Sequence, residues 1–465
     1  MEQRINLTEG KITEKLIKLS LPIMGTSFIQ MAYNMIDMIW VGKVGSSSVA
    51  AVGTAGFYPW LAMAFIMISK IGGEVKVAQS IGENDLDKTK LYIKSSIEIN
   101  IILSVFYTMF LVIFNKYLIG FFKLGDVDVI NMSRTYLYII SMGMIFYFIN
   151  PVFTAIFNGM GNSKTPFKIN TVGLITNIIL DPILILGWFG LPKMGVAGAA
   201  IATVIAQVVV SALFIYRIKK NKDGYFKIKI FRNIQLKYYK ILYKLGLPVA
   251  IQSGMFTLFS MLLGVIVASF GPIAVAVQKV GSQIESISWM TADGLAVALS
   301  GFVGQNYGAK KYERINKGCK ATFIIAIILG IFNTLILVFL GKYIFTVFIQ
   351  EEKAIYEGTI YLKILGYSQL FMCIEIITSG AFKGLGRTYI PSVISIVLTG
   401  ARVPLAYILS KPEMLGLNGV WWSITISSVF KGILLITIFV FLIKLGKLYN
   451  VKKEEKLENN KPIKE

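Results

Sequence analysis

Four oxygen-bearing side chains in apolar surroundings are the residues best suited to chemistry. Asn177 and Asp181 lie in NTVGLITNIILDPILILGWFG, Asp37 in YNMIDMIWVG and Thr203 in GVAGAAIAT. An ionised Asp held within a bilayer costs at least ~3 kcal/mol, so a retained one calls for a partner or a passing ion. Asn177 stands at i−4 from Asp181 and shares its helical face. Two carboxylates, an amide oxygen and a hydroxyl can cage a hard cation such as Na+; the carboxylates can equally share a proton. The plainer alternative is that Asp181 only hydrogen-bonds Asn177 and steadies a kink at Pro182. The chain has no histidine, which removes the usual near-neutral proton shuttle and the commonest transition-metal ligand. Cys319 and Cys373 belong to no metal or redox motif.

The elements that must position these groups follow from composition. The chain has 465 residues, 55% hydrophobic and 15% charged, with a mean hydropathy of +0.67. That balance implies an all-α polytopic membrane protein, since a β-barrel would show short alternating segments. Twelve transmembrane helices are expected, near 16–41, 47–80, 90–114, 130–158, 165–187, 195–217, 240–269, 272–305, 315–341, 354–383, 388–410 and 416–445. With the N-terminus inside, the tails and inner loops hold about 33 Lys and Arg and the outer loops about 7. The net charge of +22 therefore sets topology and meets anionic lipid; it does not point to nucleic acid. Both termini and the basic connection Arg217 to Lys240 are expected in the cytoplasm, with no removable signal peptide. On this layout Asp181 and Asp37 lie about 9 Å below the outer ends of their helices, and Thr203 about 12 Å below its own. Three helices thus bring polar groups to nearly one level.

The chain is also duplicated. KLSLP at Lys18 recurs as KLGLP at Lys244, and VAQSIGENDLDK at Val77 as VGQNYGAKKYER at Val303. FNGMGNSKTP at Phe157 recurs as FKGLGRTYIP at Phe382, and GVAGAAIAT at Gly195 as GLNGVWWSI at Gly416. Four landmarks in one order divide the chain into an N-lobe (1–217), a cytoplasmic linker (218–239), a C-lobe (240–445) and a cytoplasmic tail (446–465). Six spans per half, an even number, give two parallel six-helix repeats, an architecture of transporters.

These landmarks, with NIILDPILI and the late ARVPLAYIL, resemble the multidrug and toxic compound extrusion (MATE) family over about residues 12–445. The resemblance implies a secondary antiporter in a bacterial inner membrane. It would export organic cations or amphiphiles in exchange for Na+ or H+, by alternating access. It also implies that Asp37, Asn177 and Asp181 form an N-lobe cation site, with Thr203 a weaker member. The chain departs from the family pattern in the C-lobe. GLPVAIQSGMFTLFS lacks an acid in helix 7, and helix 10 offers only Glu375 in MCIEIITSG. The chain therefore resembles the branch that relies on its N-lobe.

Among the remaining polar and soft residues, Tyr33, Met31, Phe153, Met255, Met290, Asp293 and Glu375 are candidate substrate-cavity liners. Pro22 is the preferred hinge. Lys70 and Glu74, at i,i+4, suggest an ion pair. Arg402 and Lys431 suggest packing against carbonyls or acids, and Glu285 or Lys279 could face the cleft. The alternative function is flipping of lipid-linked oligosaccharide within the same superfamily. An enzyme is disfavoured, because neither a metal-ligand cluster nor a phosphate-binding loop is present. Paired acids in one lobe suit a coupled carrier better than a channel's ring of charges. No cofactor is expected beyond the coupling ion, and a monomer is expected.

Overall fold

The computed structural model describes residues 4–220 and 223–449. Part of the expected linker, 221–222, and most of the expected tail, 450–465, lie outside the described residues. Sixteen α-helices are formed among them: α1 (Ile12–Gly42), α2 (Ser46–Gly82), α3 (Leu86–Gly120), α4 (Val127–Met142), α5 (Met144–Gly159), α6 (Lys164–Leu186), α7 (Gly195–Lys220) and α8 (Leu236–Ala268). There follow α9 (Pro272–Gly308), α10 (Tyr312–Phe339), α11 (Gly341–Thr346), α12 (Glu352–Gly366), α13 (Gln369–Gly384), α14 (Tyr389–Gly400), α15 (Arg402–Leu409) and α16 (Leu417–Lys444).

Nine helical segments among the described residues are long and apolar enough to cross a membrane, α14 and α15 counting together as one. The number rises to eleven if each of two bent pairs is one span: α4 with α5 at 53°, and α12 with α13 at 50°. α1 has 31 residues but stands outside this count; Gln30, Asn34 and Asp37 interrupt its apolar run. The outward faces are apolar, as a lipid-solvated helix requires: Phe106, Ile113, Val265 and Phe332 are all exposed.

By packing, the chain forms two compact units. One holds Ile17–Gly254 and the segment ending at Glu9; the other holds Gly10–Leu16 and the chain from Met255 onward. The first has a core around Phe148, Phe157 and Phe214. The second is centred on Tyr361 and Trp421, whose rings meet edge to face at 4.7 Å.

Within each unit the duplicated motif makes the same backbone contact. A Cβ on Gly159 would meet the Glu74 carbonyl oxygen at 2.6 Å, and a Cβ on Gly384 the Ser300 carbonyl oxygen at 2.5 Å. Gly384 is 225 residues from Gly159 and Ser300 is 226 from Glu74, the offsets of the sequence repeat. Only glycine lets two helix backbones approach so closely. Two residues on, Gly161 (φ 80°) and Gly386 (φ 74°) end α5 and α13 in the left-handed region. The Asn162 and Arg387 amides then donate to the Phe157 and Phe382 carbonyls, both at 2.9 Å.

The connection between α7 and α8 is tied down at several points. The Phe231 amide donates to Glu98 Oε1 at 2.6 Å, and Tyr239 Oη donates to Glu98 Oε2 at 2.7 Å. Lys94 Nζ donates to the Arg232 and Asn233 carbonyls and lies 3.6 Å from Glu98. Phe226 packs its ring on Phe157 at 5.5 Å. Basic composition marked this segment as a loop; a buried Lys94–Glu98 pair on α3 makes it a strap on the first unit.

Candidate functional site

Three helices of the first unit carry the four polar residues: α1 carries Asp37, α6 carries Asn177 and Asp181, and α7 carries Thr203. Asn177 and Asp181 are fully buried, and Asp37 and Thr203 are half-buried. The i,i+4 spacing does what helical geometry predicts, since Asn177 Nδ2 donates to Asp181 Oδ1 at 2.9 Å. Asp181 and Asp37 lie close enough for their charges to act on one another.

One oxygen of each residue is left over. Asp37 Oδ1, Asn177 Oδ1, Asp181 Oδ2 and Thr203 Oγ1 are buried without a hydrogen-bond partner. Buried polar atoms are nearly always paired, and each orphan costs about 1–3 kcal/mol. The carboxylate and amide oxygens can only accept, and the hydroxyl can accept as well. A hydrogen-bonded kink would explain the Asn177–Asp181 contact alone; it leaves four unpartnered oxygens without a reason. Oxygen acceptors of this kind suit a hard cation or a proton. Among the described residues no group of three or more His, Cys, Asp or Glu could hold a metal ion.

Aromatic residues complete the surroundings. Tyr33 Oη donates to the Thr203 carbonyl at 3.5 Å. Tyr136 on α4 lies within electrostatic range of Asp37, Asp181, Tyr33 and Tyr147. The sequence reading did not single out Tyr136 or Tyr147, because no spacing rule connects α4 or α5 with α1.

The other expected residues are dispersed. Met31, Met255 and Met290 are half-buried. Phe153 is buried in the first unit's core with its ring 5.4 Å from Phe214. Pro22 lies inside α1, whose helix continues past it. Asp293 is half-buried and makes no ion pair with a described residue. Glu375 is buried; Lys431 Nζ lies 2.9 Å from its Oε2, and Ser395 Oγ donates to its Oε1 at 3.2 Å. Lys431 thus packs against an acid, as expected, whereas Arg402 donates to the hydroxyls of Ser427 and Ser428. The expected pair of Lys70 with Glu74 does not form. Glu74 is buried against α5 and engaged elsewhere, and Lys70 stays half-buried.

The family model described as MatE matches residues 22–183 and again 248–408, once in each half of the chain. Among curated proteins, the chain is 27% identical over 431 residues to a probable multidrug resistance protein, NorM, of Thermotoga maritima, covering 92% of each. It is 28% identical over 407 residues to the probable multidrug resistance protein YoeA of Bacillus subtilis, covering 86% of this chain and 87% of that one. Among solved structures it superposes on a MOP superfamily transporter from Pyrococcus furiosus with a TM-score of 0.86. Identity there is 24%, covering 95% of this chain and 99% of the other, a likeness of fold alone.

Proposed function

The chain belongs to the MatE family of multidrug transporters, and from that premise we propose that it is an antiporter exporting cationic or amphipathic compounds against inward Na+ or H+. As a member of that family it is not an enzyme. The observation that carries the coupling reading is the set of four buried, unpartnered oxygens on Asp37, Asn177, Asp181 and Thr203. An ion entering there supplies the partner that all four lack. Coupling needs only that the ion bind one conformation better than the other, because a ligand with equal affinity for both shifts nothing.

The other parts follow from this reading. Twelve spans in two six-helix repeats fit the recurrence of the Gly159–Glu74 approach at Gly384–Ser300. α1 would then be the first span, with both termini cytoplasmic in the inner membrane. Pro22 has no amide hydrogen for the carbonyl one turn earlier, so bending α1 there has one helical hydrogen bond fewer to break. Such a bend would carry Asp37 relative to Asp181 and change the ion's affinity. Tyr33, Met31 and Phe153 in the first unit, and Met255, Met290, Asp293 and Glu375 in the second, are each proposed as substrate contacts, in a chain acting as a monomer.

The test uses purified protein in proteoliposomes, with ethidium movement followed under an imposed Na+ or H+ gradient. One gradient should drive movement, and Asp37→Asn or Asp181→Asn should reduce it to background at equal protein density. Movement indifferent to both gradients, or undiminished in both variants, would refute the coupling site.

A further inference from the structure

The first unit carries a groove that the coupling reading does not use. It runs between α3 and α8, holds about 410 Å³, and lies wholly within Ile17–Gly254. Ile99, Ile102 and Leu103 form one wall; Leu236, Tyr239 and Tyr243 form the other. Its volume falls within the range of small-molecule sites, about 300–1,000 Å³. The Tyr239 hydroxyl is already engaged, donating to Glu98 Oε2 at 2.7 Å, so this side chain offers the groove its ring. The groove is open to its surroundings, with Leu236 74% exposed, Tyr243 51% and Ile102 37%. Within a membrane, a surface of this kind meets lipid tails.

Its level is set by where the charges stop. On α3 the last charge before the groove is Glu98, and residues 99–115 carry none. On α8 the last is Lys244, and residues 245–268 carry none. Two helices that both turn from charged to apolar at one groove place it where headgroups give way to acyl chains. Tyrosine is enriched at that level, as Tyr239 and Tyr243 are here. The remaining lining residue is a cation, Lys240. Lys237 and Lys244, at i−3 and i+4 from it, share its helical face, and all three are exposed. None of them makes an ion pair with a described residue. Glu98, beneath Tyr239, is already met by Lys94 and the Phe231 amide. Three like charges along roughly 10 Å of one helix repel one another until an anion lies among them.

Basic pockets between membrane helices take acidic headgroups, and lysines at the surface attract anionic lipid. We propose that this groove binds one anionic phospholipid, with an acyl chain along Ile102, Leu236 and Tyr243 and the phosphate at Lys237, Lys240 and Lys244. A zwitterionic lipid offers the same chain, but its ammonium opposes the lysines. The site is separate from the coupling oxygens and does not depend on the transport reading.

The probes are dioleoyl phosphatidylglycerol and dioleoyl phosphatidylcholine, which differ only in headgroup. Each is titrated into the full chain in a neutral detergent, and the first lipid bound is followed by native mass spectrometry. Phosphatidylglycerol should bind at least about fivefold more tightly than phosphatidylcholine, the scale of one lysine near an anionic surface. Lys240→Gln should lower the phosphatidylglycerol affinity about fivefold and leave phosphatidylcholine unchanged. Lys116→Gln removes the same charge from an exposed position toward the other end of α3 and should change neither. Ile102→Trp, which fills the groove, should weaken both lipids. Equal wild-type affinity for the two lipids would overturn the proposal, whether or not any variant folds. A preference that Lys116→Gln lowers as much as Lys240→Gln would overturn it too, because it would mark diffuse surface charge. Glycerol 3-phosphate at the lipid's own concentration should not displace phosphatidylglycerol; displacement would show that the acyl chain does not use the groove.

Discussion

Replacing Glu375 by glutamine should unfold the second unit more readily, and the reason is the charge that remains. Lys431 Nζ is 2.9 Å from the Glu375 carboxylate, and both side chains are buried. Removing one partner of a buried ion pair costs about 3–5 kcal/mol, since the other charge is stranded. A lysine at the centre of a membrane helix costs roughly 2.5–3.5 kcal/mol by insertion scales. The two ranges overlap near ~3 kcal/mol. Neutral contacts cannot make this up, because hydrogen bonds between membrane helices average about 0.6 kcal/mol. Arg402, of the same sign as Lys431 and within its electrostatic range, adds to the loss. Lys431→Met alone should cost less than Glu375→Gln, because Arg402 also offers Glu375 an opposite charge. The double variant Glu375→Gln/Lys431→Met strands neither group and should return to within about 1 kcal/mol of wild type. Unfolding in mixed micelles, read as a double-mutant cycle, gives the coupling directly. A Glu375→Gln variant within about 0.5 kcal/mol of wild type, or strict additivity of the two substitutions, would refute the reasoning.

Other expectations follow from single contacts. A cysteine at Lys229, exposed on the connection between α7 and α8, should resist impermeant maleimide added outside whole cells and react after lysis. The native Cys319 and Cys373 are buried and give little background; rapid outside labelling would invert the topology. Glu98→Gln leaves buried Lys94 without its carboxylate and weakens the anchors of Phe231 and Tyr239. Protease should then cut the 223–235 connection at least several-fold faster, and unchanged cleavage would show that the strap is held otherwise. Asp85 caps α3 through the Lys88 amide at 2.9 Å, a contact that, with Lys88's charge, holds its carboxyl below the ordinary range. Asp85→Ala should cost about 1 kcal/mol near neutral pH. A depressed folded pKa means that this contribution is present above about pH 4 and fades as pH falls below it. A wild-type advantage that grew in acid would contradict that sign.

What the sequence made legible divides along physical lines. Asn177 and Asp181 were readable as a pair because helical spacing alone brings them together. The same rule failed for Lys70 and Glu74, because an i,i+4 pair contributes only about 0.2–0.5 kcal/mol. The close approach of α5 at Gly159 and another partner of Glu74 easily override so small a preference. Lys431 and Glu375 are 56 residues apart, and no local rule joins them. Hydropathy read 130–158 and 354–383 as single spans, whereas the chain bends by 53° and 50° within them. An apolar window registers length and composition and is blind to direction. The strap was hidden for a similar reason: charge identified a loop, but its hold depends on Glu98 in a distant helix.

The Asp37–Asp181 site of the first unit and the Glu375–Lys431 cluster of the second handle buried charge in opposite ways, and the contrast bears on function. Both units descend from one repeated pattern, as the matched glycine approaches at Gly159 and Gly384 attest. In the second unit Glu375 is met by Lys431, and Arg402 by two serines. In the first, neither Asp37 nor Asp181 makes an ion pair with a described residue, and an oxygen on each stays unpartnered. The first unit does pair a buried lysine with an acid elsewhere, Lys94 with Glu98, so acids kept only to lock helices together should have acquired one at Asp37 and Asp181 too. Supplying one would therefore be informative. Thr203→Lys would bring an ammonium to the position whose carbonyl Tyr33 touches, and Tyr33 lies within electrostatic range of both carboxylates. A purely structural site should gain stability from the new ion pair and keep transporting. A coupling site should gain the same stability and lose gradient-driven movement, because a tethered cation cannot leave.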